Sequence, residues 1–191
     1  MSFDRAFSRF PRLETSRLVL RAIEQRDCAD LYHHFATLRS SPHWNLQHRN
    51  LGEAGRHIEI IRAQYMEKRI LWWALATKEE DRVIGSCSLF DFAGKSRAEI
   101  GYWLSREFQG GGMATEAVRE VVKYGLATMR LHRIQAACHP HNLAAVKVAK
   151  KAGFQEEGIL REYEPGRDGW SDSLVLAILK AEWEEEHRSS P

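Results

Sequence analysis

The chain reads as an α/β protein built on a mixed sheet. Three observations predict it. Strand-like runs at 71–77, 83–90 and 98–104 follow one another through short polar loops. Helix-like and strand-like segments alternate from residue 113 onward. Between these halves stands Gly110-Gly111-Gly112, at a junction where a strand ends and a helix begins. Hairpin-connected strands followed by alternating elements put antiparallel and parallel pairs into one sheet.

The elements follow in order. Arg17 to Arg21 alternates polar and apolar residues and reads as an edge-type strand. Asp27 to Leu38 and Glu53 to Arg69 read as helices, the first capped near Asp27. Ser40-Ser41-Pro42-His43-Trp44 is a loop between them, and His33 and His34 are expected on a helix surface. The loops Lys78–Asp81 and Asp91–Lys95 suit hairpins between the three successive strands. Trp72 and Trp73 are adjacent, so one faces the core and the other a cleft or helix. Then come a helix over 113–128, a strand over 133–138 and a helix over 143–152. Strands near 155–163 and 170–180 close the order, joined by a loop holding Pro165, Gly166 and Gly169. The acidic stretch Glu182 to Glu186 reads as a solvated end. The total is about seven strands and about four helices.

Composition narrows the function classes. With 191 residues the chain suits one domain, 1–191, with a core over about 12–183. A net charge of only +2 gives no electrostatic case for direct nucleic-acid binding. No apolar run is long enough to span a bilayer, so no membrane partner is expected. Met1 to Arg12 carries arginines but no apolar signal-like stretch. The three cysteines, Cys28, Cys87 and Cys138, lack CxxC spacing, which predicts reduced thiols and a cytoplasmic protein. Cys138-His139-Pro140-His141 lacks a second ligand pair, so no metal site is expected.

The most informative stretch is Phe108-Gln109-Gly110-Gly111-Gly112-Met113-Ala114-Thr115-Glu116-Ala117. Glycines at a strand-to-helix junction allow positive φ and a close approach to a ligand. The first helical turn presents unpaired N–H groups and the positive end of the helix dipole. Together they make a seat for a phosphate or pyrophosphate. A P-loop is excluded because no Lys follows the glycines at the required place. A dinucleotide fingerprint fails because Thr115 stands where its third glycine belongs. The pattern Gln/Arg-x-x-Gly-x-Gly/Ala fits Gln109 to Ala114 in full.

A second motif runs from Asn142 to Phe154, Asn-Leu-Ala-Ala-Val-Lys-Val-Ala-Lys-Lys-Ala-Gly-Phe. Asn142 suits an N-cap and Gly153 a C-terminal stop. Ala144, Val148 and Ala152 recur every four residues and predict the apolar face. Both motifs, in this order and about thirty residues apart, resemble the two acetyl-CoA motifs of the GNAT N-acetyltransferase superfamily. Leu13-Glu14-Thr15-Ser16-Arg17-Leu18-Val19-Leu20-Arg21 resembles the opening of one subgroup. Glu157 to Glu162 and Gly169 to Ser173 resemble its end. That subgroup contains enzymes acetylating N-terminal alanine or serine of ribosomal proteins.

The resemblance implies the GNAT fold, a mixed, mostly antiparallel sheet splayed in a V between the fourth and fifth strands. It implies acetyl-CoA as co-substrate, held by Gln109, Gly110, Gly111, Gly112, Met113, Ala114 and Thr115. It also implies pantetheine contacts from the backbone of Trp103, Leu104 and Ser105, with the Leu104 N–H facing the developing oxyanion. Asn142 is expected on the pantetheine arm and Lys147 on a phosphate, the alternative for Lys147 being a solvated helix face. Glu99 is expected to take the amine proton, because a carboxylate on a central strand is costly to bury unless paired or functional. The competing reading pairs it with an arginine. Asp172 and Trp44 are the substrate-binding candidates, with structural packing as the alternative. Two departures stand out. Ala149 and Ala145 occupy the places where family members carry the tyrosine or serine that assists the leaving thiolate; water, Ser173 or Tyr163 remain as substitutes. The acceptor is an amine: first a protein N-terminal α-amine, then a small molecule such as a polyamine, amino acid or antibiotic. A weakly catalytic CoA-binding module is the third reading, and the assembly state, monomer or homodimer, stays open.

Overall fold

The computed structural model describes residues 3–37, 48–166 and 169–188. Among these residues, eight strands form one sheet in the order β1-β2-β3-β4-β5-β6-β8-β7. They are β1 (Leu13–Glu14), β2 (Leu18–Ala22), β3 (Ile70–Thr77), β4 (Val83–Phe90), β5 (Arg97–Leu104), β6 (Arg133–Cys138), β7 (Gln155–Gly166) and β8 (Gly169–Leu179). The helices are α1 (Phe3–Ala6), α2 (Cys28–Thr37), α3 (Leu51–Met66), α4 (Met113–Lys123), α5 (Leu143–Lys151) and α6 (Lys180–Arg188). The expected α/β class and mixed sheet are present, with one strand and two helices more than the sequence reading gave.

All pairings are antiparallel except β5–β6, which is parallel. That pairing covers only Arg97↔Arg133 to Glu99↔Gln135. Beyond it each strand stays with its outer neighbour: β5 with β4 to Leu104, β6 with β8 to Cys138. The sheet therefore forks after Glu99, at the junction where the V was expected.

Two cores lie on the two faces. Ala98, Ile100 and Leu104 of β5 join Ala117, Val118, Val121 and Val122 of α4, and Val146 and Ala149 of α5, in the larger. Leu31 of α2, Ile58 and Ile61 of α3, and Trp72 of β3 form the smaller, with Trp103 packed against it. Trp73 belongs to the large core and Trp72 to the helix-covered one, the division expected of adjacent strand residues.

Several local expectations change. β2 is not an edge strand: β1 lies outside it, and Leu18 to Arg21 are all buried. Arg21 is tolerated there because Asp27, also buried, accepts two of its hydrogen bonds at 2.7 and 2.8 Å. Alternation in sequence cannot reveal a polar face closed by an ion pair. Asp27 serves that pair, and α2 begins one residue later. His34 is buried, not on the surface, and its Nε2 donates to the Val83 carbonyl at 2.7 Å. The helix after the glycines is α-helical only to Lys123; a wider π turn, Tyr124–Thr128, then buries Tyr124, Gly125 and Leu126 in succession. The expected face of α5 holds at Val148, packed against the core, and at Ala152, buried just past the helix, but Ala144 is exposed and Val146 and Ala149 are the buried residues within it. Both sets have helical spacing, so only the packing partner chose between them. The acidic end is part of α6: Glu182 accepts the Leu179 N–H at 2.9 Å and Trp183 packs against the core.

The Arg21–Asp27 pair gives a stability test. Asp27→Ala leaves a buried guanidinium without its main partner and should cost about 3–5 kcal/mol. Urea unfolding should show a lower midpoint with an unchanged slope; an unchanged midpoint would mean the pair holds nothing.

Candidate active site

The glycine loop connects β5 to α4. Gly110 and Gly112 both take φ +82°, the left-handed region. Nothing lies within 4 Å of a side chain added at Gly110, so backbone conformation rather than space requires the glycine there. Glu116 is the first residue after Gln109 whose N–H finds a backbone acceptor, the Gly112 carbonyl at 3.0 Å. The N–H groups of Gly110, Gly111, Gly112, Met113, Ala114 and Thr115 have no acceptor among the described residues. Six open donors at the positive end of α4 form a concave anion seat of the kind that holds a pyrophosphate. Gln109 has a different part: its Nε2 donates to the Leu104 carbonyl at 2.8 Å and ties the loop to the end of β5.

The fork supplies a second set of backbone groups. The Ser105 N–H donates to the Ile84 carbonyl at 2.8 Å, so it is committed to β4. Alternation along an antiparallel strand turns Trp103 the same way and turns Leu104 outward, toward the fork. Of the three residues expected to present backbone to the ligand, only Leu104 points its N–H there. The Ser105 expectation is corrected by its ladder bond.

Glu99 is half-buried on the face opposite α4 and α5. Burial pushes its carboxyl above the ordinary carboxylate range, the charges of Asp91 and Glu164 push it further, and a hydrogen bond from Gln135 offsets part of this. Among the described residues no arginine or lysine bonds to it, so the ion-pair reading fails. Glu164 is a neighbour that the sequence reading missed. Its approach depends on a bulge in β7, where register shifts between Leu160 and Glu164. Asp172 pins that bulge: its Oδ1 accepts the N–H of Glu162, whose φ is +49°. A carboxylate picked out as substrate-binding is thereby engaged by the scaffold.

The remaining candidates divide. Asn142 caps α5, its Oδ1 accepting the Ala145 N–H at 3.2 Å. Lys147 is exposed on α5. Trp44 lies outside the described residues. Ser173 is buried and donates to Glu164, while Tyr163 is exposed. The hydroxyl that does reach α5 is that of Tyr102, which donates to the Ala145 carbonyl at 2.8 Å. Burial pushes this phenol well above its ordinary range. No sequence signal marked Tyr102, because its partner is a backbone carbonyl on an element 43 residues away.

An anion seat of open N–H groups, a forked sheet with the Leu104 N–H turned outward, and a carboxylate with no cationic partner among the described residues suit acyl transfer from a phosphorylated thioester. Residues 17–155 match the acetyltransferase (GNAT) domain family. The chain belongs to the GNAT acetyltransferase family. Among its relatives is N-acetyltransferase p20 of Bacillus licheniformis, 33% identical over 174 residues, covering 90% of this chain and 97% of p20. The ribosomal protein uS5-alanine N-acetyltransferase of Escherichia coli is 25% identical over 179 residues, covering 90% of this chain and 92% of that enzyme. The microcin C7 self-immunity acetyltransferase MccE, solved with acetyl-CoA and AMP, has the same fold, with a TM-score of 0.75 at 21% identity over 86% of this chain and 93% of that one. This GNAT protein is an N-acetyltransferase with acetyl-CoA as acyl donor, and its open loop donors fit that ligand.

The Glu99 environment gives a stability prediction with a definite sign. Its folded-state pKa is raised, so the native state holds the proton more tightly than the unfolded chain. Stability is therefore lost as pH rises from about 4.3, the unfolded value, through the folded value. Glu99→Gln should melt above the wild type at pH 7, with the difference vanishing below about pH 4. A lower melting temperature at pH 7 would show Glu99 to be a structural carboxylate instead.

Proposed function

We propose that the protein acetylates the α-amine of protein N-termini, with Glu99 as the base. The observation that carries this reading is a half-buried carboxylate with a raised pKa, beside the fork and without a cationic partner among the described residues. A carboxylate made more basic by burial takes a proton more readily from the less basic of two amines. An α-ammonium of pKa about 7.8 is roughly 14% neutral at pH 7, whereas a lysine of pKa about 10.4 is roughly 0.04% neutral. The resemblance to the uS5-alanine enzyme supports the same acceptor.

The residues divide the work as follows. The N–H groups of Gly110 to Thr115 hold the pyrophosphate, and the Leu104 N–H donates to the developing oxyanion. One such donor contributes about 3 kcal/mol to the barrier. Acetyl-CoA, when bound, supplies the acetyl group as an activated thioester. Glu99 accepts the amine proton directly or through water. Lys147 adds positive charge near the phosphates, and Asn142 orders the start of α5. Tyr102 stands three residues beyond the last β5–β6 pair with its hydroxyl on α5. Its one O–H is spent on the Ala145 carbonyl, so it orients α5 at the fork and leaves protonation of the thiolate to water.

A second reading has its own observation. Glu99, Asp91 and Glu164 interact electrostatically, and such a group of carboxylates also suits a small cationic amine. Thiol release from acetyl-CoA should be measured against peptides with free N-termini, blocked peptides with internal lysines, and polyamines. Turnover confined to free N-termini is the expected result; a preference for polyamines or internal lysines would sink the α-amine reading. Glu99→Gln should lower kcat/KM by roughly a hundredfold or more and remove the acidic limb of its pH profile. Retention of that limb would assign the base elsewhere, with Glu164 the next residue to test.

A further inference from the structure

The connection between β1 and β2 reaches across the molecule to the glycine loop. Glu116 lies in the first turn of α4. Its carboxylate accepts from Ser16 Oγ at 3.0 Å and from Arg17 N at 2.9 Å. It also accepts from Arg17 Nε at 2.9 Å and Nη2 at 2.7 Å. Burial alone would raise this carboxyl, but hydrogen bonds from Thr15, Arg17 and Ser16 hold it down at about 2. The remaining arm of the same guanidinium, Nη1, donates to the Gly111 carbonyl at 2.9 Å.

This last bond fixes a peptide that has no preference of its own. Three successive glycines lack the side chains that restrict rotation, and the peptide between Gly111 and Gly112 can turn either way. In a planar trans peptide the C=O of Gly111 and the N–H of Gly112 point in opposite directions. Holding the carbonyl on Arg17 therefore aims the Gly112 N–H at the opposite side, the open side of the loop.

We propose that Arg17, held by Glu116, is a positioning residue for the acyl donor: it locks the Gly111–Gly112 peptide with its N–H facing the phosphate seat. This rests on the reading that the pyrophosphate sits on the loop. Preorganising one donor removes an ordering cost that would otherwise weaken binding. The rival role, Arg17 as a direct phosphate ligand, gives a different charge dependence.

The test uses Arg17→Gln, Glu116→Gln and Gly112→Ala. CoA binding is measured by calorimetry, turnover with acetyl-CoA and with acetyl-pantetheine, and the Gly112 amide resonance in the ligand-free protein. Arg17→Gln should weaken CoA binding roughly tenfold, the value of one misaimed charge-assisted hydrogen bond. It should lower the ratio of kcat/KM for acetyl-CoA over acetyl-pantetheine by a similar factor, and move the Gly112 amide resonance. Glu116→Gln should weaken CoA binding in the same direction, because it loosens the guanidinium. Tighter CoA binding in Glu116→Gln would overturn the proposal in favour of direct contact. Equal losses with both acyl donors would reduce the clamp to a folding element. If Gly112→Ala weakens CoA binding and Arg17→Gln does not, the clamp fails while the loop reading stands; if neither does, the loop reading itself fails.

Discussion

The site depends on the parting of β5 from β6 after Glu99. A sheet that stayed closed would spend the Leu104 N–H on a neighbouring strand. The fork persists because each strand has a full ladder on its other side, β4 for β5 and β8 for β6. Those outer ladders hold the two halves of the sheet rigid. The inner edges are left with backbone donors that a ligand can use. Burial of such groups without partners is costly, so the fork is a place where binding restores what folding left open.

The same opening sets the electrostatics. The loop after β5 turns into α4 with six N–H groups unpaired among the described residues, a positive end that favours anions. Five residues before the end of that strand, Glu99 meets burial and two other acidic groups. One strand thus runs from a carboxylate that resists ionisation to a seat that attracts negative charge. The fold bears the cost of the first because α4, α5 and the large core hold β5 from its other face. Glu116 shows the reverse case, a carboxylate in the same helix turn made fully anionic by its hydrogen bonds to the β1–β2 connection.

Much of this was legible in the chain. The glycine triplet, its place between strand and helix, and the Asn142 to Phe154 motif were enough, through their resemblance to GNAT motifs, for the family and its acyl donor. Glycine spacing and helix starts are local, so one sequence carries them. Asp172 and Glu164 show the limit. Which carboxylate approaches Glu99 depends on a bulge of β7 against β8, and no local rule gives a bulge its register. Arg21 shows it again, since an arginine in a strand looks solvent-facing until its buried partner is placed. On α5, Val148 and Ala152 pack on the core as their spacing predicts, while Ala144 is exposed and Val146 and Ala149 carry the buried stripe, because two stripes of small residues fit the same spacing.

The amino-acid sequence by itself determined the element order and the glycine loop at a helix start, because these rest on backbone conformations that glycine, capping residues and periodicity dictate over a few positions; the family and the acyl donor followed from the resemblance of its two motifs to those of GNAT enzymes. Tertiary structure decided which backbone N–H faces the fork, which acidic groups gather at Glu99, that Tyr102 brings a hydroxyl to α5, and that Arg17 holds the glycine loop. Each of those depends on two segments far apart in the chain meeting at hydrogen-bond distance, and only the packed sheet fixes where they meet.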